Sequence, residues 1–239
     1  MDHSSPTTDP EETPDRLPHY SAKQVREGGG QYFVDAQGKR LPNVTTILNR
    51  TKSAEQWQAL ANWRQRVGVA EANQITRTAS SRGTGTHKQI QRFLQGDRTP
   101  CSASVQPYWN SIEPVLHELR SVRLVEGSVF HYDLGYAGKV DCVATYRGVP
   151  CICEWKTADK PKGSVERLYD HPLQMVAYCG AVNHLYRDNG VQLQHGLLVV
   201  AIGDAPAEIF WFEPEAIVHY WNQWQQRLAL YQRLQNGLF

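Results

Sequence analysis

Apolar and polar positions alternate with a period of two from Gly138 to Thr157, interrupted once at Arg147-Gly148. The pattern predicts strands at about 137–147 and 150–157, joined by a two-residue turn that sets Tyr146 opposite Val149. Further strands are expected at about 122–132, at Gln192–Ile202 and at Ala207–Phe212. Near the N-terminus, Gln31–Asn43 reads as a short strand, a turn at Asp35–Gly38 and a return. Spacings near 3.6 predict helices at about 54–68, 69–82, 104–120, 170–188 and 214–236. The first carries Trp57, Leu60, Trp63 and Val67 as a core stripe, with Arg64 and Arg66 off it. The helix at 104–120 turns Trp109, Ile112, Leu116 and Leu119 inward, and the last one aligns Ile217, Trp221, Trp224, Leu228 and Tyr231. Gly83-Thr-Gly-Thr-His87 is expected to break the second helix. Thr86 and Gln89 then fit a capping box for a new helix at about 87–95, ending at Gly96.

These elements predict an α/β fold: a mixed central sheet of four or five strands flanked by helices, with an N-terminal helical region. Residues 1–16 hold Ser, Thr, Pro, Asp and Glu with almost nothing apolar, and read as a disordered acidic tail. Residues 17–239 are expected to form a single domain, with 17–120 mainly helical and framing a cleft and 121–239 holding the α/β core.

Counting outward from the turn sets Asp141 opposite Glu154 and Lys139 opposite Lys156, all four on one face. Directly opposed like charges destabilise a sheet, so two stacked carboxylates suggest a cation between them. Diagonal pairs Asp141–Lys156 and Lys139–Glu154 would instead make an ordinary salt-bridge lattice, and a different register would dissolve the cluster. Cys142, Ala144, Cys151, Cys153 and Trp155 make the other face apolar, and Val143 and Ile152 extend the apolar character to the charged face. A strand pair apolar on both sides belongs inside a covered sheet, which puts the charges at its end, in a cleft.

Composition narrows the setting. With 239 residues and 41% hydrophobic content the chain can bury a sizeable core. No apolar run approaches a membrane span, so no membrane partner is expected. No secretory signal is visible, and the acidic start is unlike an Arg-rich transit peptide. Five cysteines form no Cys-x-x-Cys pair, which suggests a reducing compartment without zinc or an iron–sulfur cluster. The net charge of +1 divides into −4 over residues 1–16 and +5 over the rest, suited to transient contact with an anionic polymer.

Asp141, Glu154-Trp155-Lys156 and a downstream helical glutamine resemble the PD-(D/E)xK nuclease superfamily. Gly85-Thr-His87, Glu126 and Gln174-x-x-x-Tyr178 stand where its RecB-like exonuclease branch carries additional motifs. Gly138-Lys-Val-Asp-Cys-Val-Ala144, Glu154-Trp-Lys-Thr157 and the run from Asp170 to His184 are most similar to the mitochondrial genome maintenance exonucleases and their bacterial relatives. The resemblance covers roughly residues 40–235. Asp-x(n)-Glu-x-Lys alone is a weak signature; with the glutamine helix it is a strong one.

The resemblance implies a restriction-endonuclease-like fold and a Mg²⁺- or Mn²⁺-dependent deoxyribonuclease. Its DNA substrate is expected to be single-stranded with a free end, in repair, recombination or genome maintenance. Asp141 and Glu154 are then expected as metal ligands with the Trp155 carbonyl, and His87 as a further ligand favouring Mn²⁺. Lys156 would orient the attacking water, with Gln174 and Tyr178 positioning it or the substrate. Glu126, Arg82, Lys88 and Thr157 are expected to support substrate binding. With no mitochondrial targeting segment visible, a cytoplasmic, bacterial or phage-related setting is expected. A non-catalytic nucleic-acid-binding module and a partner-recruiting protein built on the Trp-rich C-terminal helix are the alternatives. The intact Asp141, Glu154 and Lys156 count against the first.

Overall fold

The structure, a computed structural model, describes residues 16–237; the expected tail lies outside them save Arg16. Strands β1 (Ala22–Glu27), β2 (Gly30–Asp35) and β3 (Arg40–Pro42) form a small antiparallel sheet. Four helices follow: α1 (Val44–Arg50), α2 (Ala54–Val67), α3 (Val69–Leu94) and α4 (Gln106–Leu116). The central sheet runs in chain order through β4 (Leu119–His131), β5 (Tyr136–Tyr146), β6 (Val149–Ala158), β7 (His195–Ile202) and β8 (Ala205–Phe212). Helix α5 (His171–Leu185) lies in the crossover that makes β6 and β7 parallel, and the other strand pairs are antiparallel. Helix α6 (Pro214–Gln235) ends the fold. The mixed sheet, expected with four or five strands, therefore has five.

Both faces of the sheet are covered. Val143, Ile152, Leu198 and Val200 pack toward α1, α5 and α6, where Ile47, Val176 and Trp224 are fully buried. Cys142, Cys151, Cys153 and Trp155 pack toward Ile90 of α3 and Trp109 and Ile112 of α4. Four of the cysteines are buried and all five are free, filling space as small hydrophobes.

Four expectations are corrected. Helix α3 runs unbroken through Gly83–His87. A Cβ on Gly85 would lie 2.5 Å from Val105 Cγ2, so the glycine permits close approach of the segment leading into α4 rather than ending a helix. Thr86 does not cap: its hydroxyl donates to the Arg82 carbonyl at 3.0 Å, one turn back. The α2 stripe is not core, because α2 buries no residue and leaves Trp57 49% and Leu60 38% exposed. That helix leans on α3 through Arg64, whose guanidinium donates to Asn73. Finally, α4 stops at Leu116, and Leu119 opens β4 by pairing with Tyr146. Strand β1 and helix α1 went unmarked by the hydrophobic pattern, being mostly exposed and very short respectively.

Candidate active site

The two-residue turn holds the β5–β6 register as counted, from Tyr146↔Val149 to Cys142↔Cys153, and the ladder stops there. Asp141 and Glu154 come next on each strand, where β5 and β6 part company. Asp141 Oδ2 accepts from the Trp155 backbone N–H at 2.8 Å, closing the split. Beyond it each strand keeps only its outer neighbour: Lys139 pairs with Ser128 of β4, and Lys156 with Val200 of β7. The expected Lys139–Lys156 stacking and the diagonal salt-bridge lattice are thus replaced. Lys156 Nζ sits 2.6 Å from Glu154 Oε1, and Lys139 Nζ 2.5 Å from Glu126 Oε2.

Glu126 reaches the cluster through strain. Its φ is +52°, a left-handed conformation rare for a residue with a side chain, next to an irregular stretch of β4. It falls between Val125, paired with Cys142, and Gly127, paired with Val140, opposite Asp141. Helix α3 delivers His87 from above. Its Nδ1 lies 3.3 Å from Asp141 Oδ1 and 3.6 Å from Glu126 Oε1, while Nε2–H donates to the Trp155 carbonyl at 2.9 Å. That carbonyl holds the ring so that Nδ1 faces the carboxylates. His87, Glu126 and Asp141 each offer a ligand atom within 4.8 Å of the others, a spacing suited to one cation.

Helix α5 completes the site. Gln174 Nε2 donates to Glu154 Oε1 at 2.7 Å, its Oε1 accepts from Lys156 Nζ at 3.1 Å, and the Tyr178 hydroxyl accepts from the same Nε2 at 3.3 Å. Gly138 makes room for this helix: a Cβ there would lie 2.3 Å from Tyr178 Cε1. Glu154 is 1% exposed, and among the described residues its Oε2 is a buried acceptor without a hydrogen-bond partner. An orphaned carboxylate oxygen is costly, and a cation beside Asp141 would satisfy it. The donor set of three carboxylates and one imidazole fits Mg²⁺ or Mn²⁺.

The electrostatics agree. Burial first, and then the Asp141 charge, raise the Glu154 carboxyl to about 7. Burial alone would raise Asp141 as well, but the imidazolium of His87 and the Lys156 ammonium hold it below its usual value. Burial opposes charge on His87, yet Asp141 and Glu126 outweigh it and lift the imidazole to about 10. A proton on His87 and a cation on these carboxylates would therefore compete with one another.

The structure therefore brings together His87, Glu126, Asp141, Glu154, Trp155 through its backbone, Lys156, Gln174 and Tyr178. Lys88, Lys139 and Thr84 line the same open cleft of about 770 Å³. Arg82 and Thr157 lie apart: the Arg82 guanidinium engages Asp159, Tyr108 and the Thr157 hydroxyl, clamping α3 to the end of β6. Lys139 as the partner of Glu126 escaped sequence reasoning, since strand counting placed it against Lys156.

The family model of the PD-(D/E)XK nuclease superfamily matches residues 58–239. This chain belongs to that superfamily. It is 37% identical over 216 residues to "Mitochondrial genome maintenance exonuclease 1" of Mus musculus, covering 86% of this chain and 63% of that relative. The proteins of the same name from Xenopus tropicalis and Homo sapiens are 36% and 33% identical over 81% and 83% of this chain, and 58% and 60% of their own length. The chain thus spans about three fifths of these curated relatives. Their eukaryotic, mitochondrial naming corrects the expectation of a cytoplasmic, bacterial or phage-related setting. Among the described residues no helix is long and apolar enough to cross a membrane.

Proposed function

We propose that this PD-(D/E)XK protein is a divalent-metal-dependent deoxyribonuclease that hydrolyses phosphodiester bonds from the free ends of single-stranded DNA, in genome maintenance. The observation that carries the reading is the buried, unpartnered Glu154 Oε2 beside the His87–Glu126–Asp141 cluster, with the Lys156 ammonium in the same cleft. The superfamily match and the exonuclease names of the relatives support it.

Asp141, Glu154, Glu126 and His87 Nδ1 are the groups that would hold the metal. Bound there, Mg²⁺ or Mn²⁺ supplies Lewis acidity to the scissile phosphate and a more acidic water, and an imidazole in the set favours Mn²⁺. Lys156 gives two of its N–H donors to Glu154 and Gln174 and keeps the third for the attacking water or a phosphate oxygen. Gln174 fixes the rotamers of both partners at once, and Tyr178 fixes Gln174. Water forms the new O–P bond, the bond to the leaving sugar oxygen breaks, and that oxygen takes up a proton.

Linear single-stranded, circular single-stranded and blunt duplex DNA, incubated with Mg²⁺, Mn²⁺ or EDTA, test the proposal. Linear strands should be degraded only with metal, and circles should survive. Asp141→Asn, Glu154→Gln and Lys156→Ala should each remove nearly all cleavage, with effects that do not add. Rapid cutting of circles would reject the end requirement, and a fully active Lys156→Ala protein would reject the site.

A further inference from the structure

A second cleft, of about 750 Å³, opens on the other side of the Arg82 clamp from the catalytic one. Lys156 lines the catalytic cleft and the next residue, Thr157, lines this one, so the two are separated by a single step along β6. Trp63 and Ile75 form one wall, from α2 and α3; Lys160, Lys162, Arg167 and Tyr169 form the other, from the segment between β6 and α5. The volume is in the range of roughly 300–1,000 Å³ typical of ligand clefts.

Resting on the reading of the chain as a nuclease of single strands, we propose that this cleft seats a nucleotide flanking the scissile phosphate, its base stacked on Tyr169 and its phosphates held by Lys160 and Lys162. Charge favours that occupant over an apolar or acidic protein surface. Among the described residues the one carboxylate lining the cleft, Asp159, is engaged by Arg82, which leaves the positive charge of Lys160, Lys162 and Arg167 facing it. Tyr169 is 74% exposed, although a ring of that size is ordinarily covered. The backbone holds it there at a cost, with φ +53° and ψ −125°, a region nearly closed to residues bearing a Cβ.

The supports on both sides of Tyr169 are firm. Upstream, Glu208 accepts from the backbone N–H groups of Lys162 at 2.5 Å and Gly163 at 2.7 Å. Downstream, Asp170 accepts from Arg227 at 3.1 Å and from Gln56 at 3.5 Å. An exposed aromatic ring on a pinned, strained segment is preorganised for stacking, and the ammonium of Lys162 lies 5.9 Å from its centre. Stacking on a π-face reads no sequence, which suits an enzyme that must pass every base.

Fluorescence anisotropy with a labelled oligothymidylate of about ten nucleotides, on the full chain in EDTA, reads binding without cleavage. Tyr169→Leu should weaken binding roughly tenfold, the loss of one stacked base, while Tyr169→Phe stays within about twofold. Lys160→Ala with Lys162→Ala should lower the slope of log K against log salt by roughly 0.7 for each phosphate that is no longer neutralised. All variants should melt with the wild type, since these side chains face solvent. Equal affinity of Tyr169→Leu, Tyr169→Phe and wild type would overturn the inference even if the wild type cuts DNA. Loss of binding in Tyr169→Leu, with no metal-dependent cleavage by the wild type, would keep the cleft and reject the nuclease reading.

Discussion

Glu154 shows at the scale of one residue how folding stability is given up for a site. A carboxyl ordinarily near the usual acidic range is held at about 7 by burial and by Asp141, so its ionised form is disfavoured in the fold. The sign follows: the cation-free fold loses stability as pH rises from the ordinary carboxyl range through about 7. At pH 8 in EDTA, Glu154→Gln should therefore be more stable than wild type, by on the order of 1–2 kcal/mol after removal of the Lys156 ion pair is set against the relieved charge. Mn²⁺ should raise the melting temperature of wild type and leave that of Glu154→Gln nearly unchanged. Equal shifts in the two proteins would place the cation elsewhere.

At the scale of elements, α3 is the piece that joins the helical part to the sheet. Its 26 residues run from the exposed α2 to the buried Ile90, delivering His87 on the way. Two glycines in a helix each cost about 1 kcal/mol relative to alanine, and at Gly85 Val105 occupies the space that a side chain would need. Gly85→Ala should then be destabilising, because overpacking of about 1–3 kcal/mol exceeds the gain in helix propensity. Adding Val105→Ala should recover stability beyond the sum of the single effects, as denaturant titration of the two single variants and the double variant would show. Strict additivity would mean that α3 and Val105 do not press on one another.

At the scale of the whole molecule, the face of the sheet away from α3 and α4 has its own acid sensitivity. His131 stacks on His184 with ring centres 4.3 Å apart, and its Nδ1 accepts from the Leu134 N–H. Burial, and then the neighbouring His184, lower its pKa to about 4. The unfolded chain takes up this proton near pH 6.5 and the fold refuses it until about pH 4, so stability is lost as pH falls through that window. Glu154 acts in the opposite sense over part of the same range, which makes the difference between two proteins the useful quantity. His131→Gln should match the wild-type pH dependence above 6.5 and gain on wild type steadily as pH falls toward 4. Parallel curves throughout would show that the imidazole titrates alike in both states.

The order of residues along the chain determined the β5–β6 hairpin, its register, the meeting of Asp141 with Glu154 and the family to which the chain belongs. Those are local properties: a two-residue turn and a period of two leave one pairing, and Gln174 and Tyr178 share a helix face by spacing alone. The tertiary structure decided what depends on surfaces distant in sequence. Whether Gly85 breaks a helix or admits Val105 depends on a segment twenty residues away, and whether the α2 stripe is buried depends on what packs against it. Lys139 meets Glu126 rather than Lys156 because β5 parts from β6 where the charges begin while it stays paired with β4. Alternation alone puts Glu126 on the face of Asp141, but its left-handed backbone and its meeting with His87, which α3 brings in, belong to the tertiary structure.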